Sequence, residues 1–148
     1  MTTTALSRAA KAKSTNVEFR LGEIEHLPVA DGAVDVILSN CVVNLSPDKA
    51  QVFREAFRVL RQGGRLAISD MVASGELPEE LLGDLLRHSQ CISGATPLPR
   101  LRSMLEQAGF IEVRIQPKAE SRSFIKDWAP GTGIEEFILS ATIEGRKP

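Results

Sequence analysis

The chain has 148 residues, which sets the expectation of one domain, since domains commonly run about 100–200 residues. Lysine plus arginine number 18 against 19 aspartate plus glutamate, a formal net charge of −1, which argues against a nucleic-acid binder working through a basic face. With 43% hydrophobic and 25% charged residues the chain is too apolar for disorder, and no run approaches the roughly 20 apolar residues of a membrane span.

Residues 1–16 carry Arg8, Lys11 and Lys13 and no acid. No apolar run follows these charges, so they do not read as a secretory signal. Ala5–Lys13 is instead rich in helix formers and gives a weakly held helix or tail over 1–15, with a short basic targeting segment as the other reading. Val17-Glu18-Phe19-Arg20-Leu21 alternates with period two and stops at Gly22, the pattern of a strand. After the Asp31-Gly32 turn, Val34–Ser39 is the β-branched run expected of a parallel strand buried on both faces. A helix follows, with Ser46 as its cap, Pro47 in its first turn, an apolar stripe of Val52, Phe53, Ala56, Phe57 and Leu60, and a stop at Gly63-Gly64. Residues 65–70 form the next strand. Helices follow at about 78–92 and 97–108, then strands at 111–116 and 137–144 on either side of a Trp128-Ala129-Pro130-Gly131 turn. Strand–helix alternation followed by a closing strand pair indicates a doubly wound α/β sheet.

Open α/β sheets bind ligands beyond the carboxyl ends of their strands. Two such ends carry chemistry here, Gly22-Glu23-Ile24 and Asn40-Cys41. The runs Asp31–Ser39 and Arg58-Val59-Leu60-Arg61-Gln62-Gly63-Gly64 resemble class I S-adenosylmethionine-dependent methyltransferases. More narrowly, Ser39-Asn40-Cys41-Val42-Val43-Asn44-Leu45-Ser46, Cys91-Ile92-Ser93-Gly94-Ala95 and the tail segments Phe124–Gly131 and Ser140–Glu144 are similar to arsenite methyltransferases. The resemblance covers about residues 16–148. It implies a single partial methyltransferase domain over 1–148, with an incomplete doubly wound Rossmann-like sheet, mostly parallel with an antiparallel closing strand.

That family methylates trivalent arsenic held by cysteine sulfurs. Arsenic(III) is soft and thiophilic, and thiolates are the soft ligands a protein offers. Cys41 and Cys91 match the family's arsenic-ligand positions, so the resemblance implies that both bind arsenite or its thiol conjugates and carry the reaction. S-adenosylmethionine is the implied cofactor, with Gly22, Glu23 and Ile24 at its adenine end and Asn40 at its methyl end. Other readings stand beside these. A lone cysteine such as Cys41 more often packs as a small buried hydrophobe, Glu23 equally suits a solvated loop, and Asn40 equally caps a turn. Asp70 is as much a turn residue as one facing a site. A zinc site from Cys41, Cys91, His26 and His88 has four ligands but none of the usual close spacings. Two cysteines cannot build a disulfide scaffold, and a cytoplasmic compartment is the expectation.

The chain departs from the family pattern. The glycine-rich loop after the first family strand, the acidic residue for the ribose hydroxyls and an additional N-terminal cysteine have no counterparts, as though the chain starts inside the helix before the third family strand. Binding of S-adenosylmethionine is therefore expected to be weak or lost. The absent strands would leave the inner edge of strand 34–39 bare, an invitation to pairing. The first expectation is that Val17–Leu21 pairs directly with 34–39; a homodimer or a complementing chain are the alternatives. Three functions follow: an arsenite methyltransferase homologue, an arsenic(III)-binding protein without catalysis, or a methyltransferase for another small molecule.

Overall fold

A five-stranded sheet organises the residues that the computed structural model describes, 15–75, 94–128 and 130–148. In chain order these are β1 (Val34–Asn40), α1 (Lys49–Val59), β2 (Leu60–Ala73), β3 (Thr96–Pro97), α2 (Leu98–Gln107), β4 (Ile111–Lys118), α3 (Arg122–Ile125) and β5 (Ile138–Arg146). The sheet order is β1-β2-β5-β4, with β3 on the end of β2. β1 and β3 run parallel to β2, while β5 runs antiparallel to both β2 and β4. Only β5 is therefore reversed, which is the mostly parallel sheet with an antiparallel closing strand that the sequence implied. The helix expected at 78–92, with Cys91 and His88, and the helix or tail over 1–15 lie outside the described residues apart from Thr15.

Side-chain alternation divides the sheet into two faces. Leu66, Ile68 and Val72 of β2 and Leu139, Ala141 and Ile143 of β5 pack with Val52, Phe53 and Ala56 of α1 and Leu101 and Leu105 of α2. The intervening residues Met71, Ala73 and Ile138 point the other way and pack with Ala95, Ile125 and Ile134 in a smaller cluster. Among the described residues that second cluster lies at one end of its face. Toward β1, Leu38 is 78% exposed and Val36 39%.

Three expectations about boundaries and pairing change. Asp48 caps α1, its Oδ1 accepting from Gln51 N at 2.9 Å, and Ser46 does not. The helix ends at Val59, before Gly63-Gly64, because Leu60 turns extended and pairs with Val34. Lys147 satisfies the helix end, its Nζ donating to Phe57 O and Leu60 O at 2.8 Å each. Gly63 and Gly64 then shape the approach to β2: Gly63 has φ +73°, and a Cβ on Gly64 would lie 2.8 Å from Arg61 O.

Val17–Leu21 does not form the expected strand and does not pair with β1, whose hydrogen-bonded neighbour among the described residues is β2. Its polar face is satisfied locally instead. Arg20 pairs with Glu18 at 2.7 Å and donates to Pro28 O at 2.8 Å. The following segment is held on α1 rather than along β1, and Leu21 is left 84% exposed. Alternation makes a segment compatible with a sheet, but a free edge must also lie within reach.

Candidate functional site

The carboxyl end of β1 leads into a turn that the backbone fixes tightly. Cys41 N–H donates to Ser69 O of β2 at 2.9 Å, and Cys41 takes φ +53°, in the left-handed region that a cysteine rarely enters. Its side chain is exposed, with Sγ 3.8 Å from Asn40 Oδ1, so it is not the buried hydrophobe of the alternative reading. Val43–Leu45 then forms one turn of 3₁₀ helix whose Asn44 is buried. Asn44 Nδ2 donates to Asp70 Oδ1 at 2.9 Å and to Met71 O at 2.7 Å, and Asn44 N donates to Asp70 Oδ2 at 3.3 Å. Asp70 also accepts from Met71 N at 2.8 Å. Asp70 is 2% exposed, and burial pushes its carboxyl above the usual range. The N–H groups of Met71, Asn44 and Val43, with the charge of Lys49, pull the other way. Burial likewise lowers the Lys49 ammonium.

A second loop runs past the same end of β1. A Cβ on Gly22 would sit 2.5 Å from Pro28 Cδ, so glycine lets the chain fold back on itself there. His26 N donates to Glu23 O at 3.1 Å, closing a turn over 23–26. This turn is tied to the Cys41 side of the site. Ser46 Oγ donates to the Glu25 carboxylate and accepts from Asp48 N at 3.1 Å, while Gln51 Nε2 donates to Glu25 O at 3.1 Å. Further along, Leu27 N donates to Glu55 Oε2 at 2.9 Å. Arg58 reaches Leu27 O, Val29 O, Asp31 Oδ1 and Glu55 Oε2 at 2.6–3.0 Å. The guanidinium of Arg58 holds the Glu55 carboxyl below its ordinary range, and Glu55 in turn raises Arg58.

Between loop and strand lies an apolar cavity of about 310 Å³, lined by Ile24 and Leu27 on one side, Ile37–Asn40 and Val42 on the other, and Phe53 beneath. A shallower groove beside it takes in Glu23, Glu25 and His26 and shares Ile24 and Val42 with the cavity. Roughly 300 Å³ is the lower end of small-molecule sites, so the cavity suits a ring-sized apolar group with polar atoms at its rim.

The methyltransferase domain family matches residues 1–116 of this chain. The chain belongs to the methyltransferase domain family. Within it, the chain is 50% identical, over all of its length and 38% of the relative's, to an arsenite methyltransferase from Halobacterium salinarum. It is 45% identical to an arsenite methyltransferase from Aquipseudomonas alcaligenes over 68% of this chain and 30% of that one. Among solved structures it is similar to an arsenic(III) S-adenosylmethionine methyltransferase from Chlamydomonas reinhardtii, with a TM-score of 0.61 and 28% identity, covering 84% of this chain and 42% of that one. The chain thus spans well under half the length of these relatives.

Of the residues singled out in sequence, this methyltransferase domain brings Ile24 and Asn40 to one cavity and sets Glu23 in the adjoining groove. Gly22 shapes the loop and lines neither. Cys41 stands between two lining residues, Asn40 and Val42, and Cys91 lies outside the described residues. Among the described residues no cluster of three or more His, Cys, Asp or Glu could hold a metal ion, and no helix is long and apolar enough to cross a membrane. Sequence reading passed over Asn44, Glu25, Glu55 and the tether role of Ser46. The available signal was Asn44 itself, an amide inside the apolar run 42–45 and so in need of a buried partner.

Proposed function

We infer that this chain takes part in methylation of trivalent arsenic and carries the arsenic-side ligands together with part of the cofactor site. The observation that supports this most directly is an exposed Cys41, in left-handed backbone geometry at the carboxyl end of β1, next to Asn40 and the cavity that Ile24 shares. In this reading Cys41 and Cys91 condense with arsenous acid, each thiol displacing one hydroxide as water, so that two As–S bonds form and two waters leave. Fixed on two sulfurs, arsenic keeps its lone pair and is held in one orientation, the proximity gain that a tethered nucleophile provides. S-adenosylmethionine, when bound, supplies an electrophilic sulfonium methyl, so the protein needs no strong acid or base. Glu23 and Ile24 would hold its adenine end, Gly22 would shape their loop, and Asn40 would face its methyl end. The apolar cavity with Ile24 in its wall, beside the groove that holds Glu23, suits the adenine part.

The reading is tested by titrating the purified chain with arsenite in a calorimeter, alongside Cys41→Ser and Cys91→Ser. At least tenfold weaker binding in each variant is expected; unchanged affinity in both would overturn the ligand roles. The same instrument tests the incomplete cofactor site: little or no heat with S-adenosylmethionine is expected, and tight binding would refute it. If arsenite binds but no methylated product forms, even with a complementing chain, the protein is an arsenic(III) binder rather than a catalyst. If a complemented chain instead methylates another small molecule and not arsenite, the arsenic reading fails. The edge of β1 that no described strand pairs with favours one partner in addition, a second copy or a complementing chain.

A further inference from the structure

We propose that the buried Asn44–Asp70 pair is a positioning device that sets Cys41 for its ligand and couples the cysteine turn to the cofactor-side loop; the ligand half of this proposal rests on the arsenic reading above. Cys41 is held in a left-handed conformation that costs energy in any residue with a Cβ, and such conformations last only where surrounding structure over-determines them. The chain has one other non-glycine residue of this kind among those described, Glu112, which sits at a register shift in β4 and needs no further cause. No ladder irregularity accounts for Cys41. Its N–H is fixed on Ser69 O, and the chain after it is fixed three residues later by the pair. Asp70 accepts both the backbone N–H and the side-chain amide of Asn44, while that amide also donates to Met71 O. The turn from Cys41 to Asn44 is therefore anchored at both ends to consecutive residues of β2, Ser69 to Met71. This leaves Cys41 little freedom to relax to an ordinary backbone angle.

The anchor reaches further. Val43–Leu45 hands the chain to Ser46, whose hydroxyl donates to the Glu25 carboxylate in the loop that carries Glu23 and Ile24. One rigid turn thus fixes the sulfur on one side and the loop on the other, both referred to the end of β2. Neither Asn44 nor Asp70 lines the cavity, so each acts through other residues.

Two variants and one control test this. Asn44→Ala removes the amide; Asp70→Asn is isosteric but cannot accept every donor that Asp70 satisfies. Gly109→Ala is the control: it crowds the Phe57 ring at the α2–β4 turn, beside Phe110, which packs on Gly145, the partner of Leu66 in β2, well away from Asp70. Three quantities are read on each variant of the 148-residue chain: the thermal midpoint, arsenite affinity, and the reaction rate of Cys41 with a disulfide reagent, the last in a Cys91→Ser background. The positioning role requires the two pair variants to lose at least tenfold in arsenite affinity and to change the Cys41 rate at least threefold. Gly109→Ala must lower the midpoint while leaving both within twofold. If the pair variants behave as the control does, the role is merely structural and the proposal is overturned. If the parent chain fails to bind arsenite, the arsenic reading falls by itself, and the Cys41 rate still decides whether the pair positions the sulfur. Should Asn44→Ala fail to fold, the isosteric Asp70→Asn carries the test.

Discussion

Glu55 illustrates how one buried carboxylate can organise a loop that has no regular structure. It is 8% exposed, accepts from the N–H of Leu27, and meets the guanidinium of Arg58, which spreads its remaining donors over Leu27 O, Val29 O and Asp31. Loop carbonyls that would otherwise lie against α1 without partners are satisfied from the helix, and Ile24 stays at the cavity. Because Arg58 holds Glu55 below its ordinary range, the folded state binds a proton on this carboxyl more weakly than the unfolded chain does. The stabilisation is therefore complete above the unfolded glutamate value of about 4.3 and is lost as the pH falls through the lower folded value. Glu55→Gln should have a lower thermal midpoint than the parent at pH 7, and the gap should narrow as the pH drops below about 4. Melts from pH 7 to pH 3 check this. A gap that does not change with pH would mean that Glu55 acts by shape alone.

At the scale of elements, the turn from α2 into β4 shows how one glycine controls packing between a helix and the sheet. Gly109 has φ +106°, and a Cβ there would lie 2.8 Å from the Phe57 ring of α1. That ring cannot easily yield, since Phe110 packs edge-on against it at 5.3 Å between centroids and Lys147 Nζ lies 4.6 Å from its centre. Gly131 also has a positive φ, +81°, but open space where its Cβ would go. Gly109→Ala should therefore destabilise by more than about 1 kcal/mol, and by clearly more than Gly131→Ala, in denaturant titrations. Equal costs would show that backbone strain alone matters. On the same helix, Leu105→Ala should cost about 2–5 kcal/mol, because Leu105 is fully buried in the main cluster.

These elements also mark how far the sequence could be read. α2, β4 and β5 announce themselves because one face of each packs inward and imposes a period; β1 was expected to be buried on both faces and none of its residues is buried, but its span, like theirs, falls within two residues of expectation. The short turns at 119–125 and 134–136 carry no period and were invisible. The end of α1 was misplaced because Gly63-Gly64 is a conspicuous stop, whereas the actual stop is Leu60 joining the sheet, a tertiary event. The site divides in the same way. The place of Asn40 and Cys41 at the end of β1 was legible, whereas Ile24 was reached through a strand at 17–21 that does not form, and the Asn44–Asp70 pair joins residues 26 positions apart and needs the fold to be seen.

For the whole molecule, the decisive feature is the outer edge of β1. Val34 and Val36–Asn40 pair with β2 on one side and with no other strand among those described, and the sheet face beside it exposes Leu38 and Val36. Natural edges are blunted by lysine, proline or a bulge, and Val34-Asp35-Val36-Ile37-Leu38-Ser39-Asn40 has neither lysine nor proline. Its only charge, Asp35, is paired with Arg61 at 2.5 Å. The strand is also complementary to itself. In an antiparallel pairing centred on Ile37, Val36 of one copy faces Leu38 of the other twice, Asp35 faces Ser39, and no like charges meet. Cross-strand apolar pairs contribute about 0.2–1 kcal/mol each, and closing the edge also satisfies its backbone groups. We propose a second copy as the occupant, since the strand's own pattern suits it. The apparent mass in light scattering should rise with protein concentration, and Leu38→Lys should hold it at the monomer value. Because Leu38 is so exposed, that substitution should leave the thermal midpoint of the dilute protein nearly unchanged. A parent chain that stays monomeric at high concentration would exclude the copy; one that then binds a strand-bearing methyltransferase fragment would identify the complementing chain as the partner of this edge.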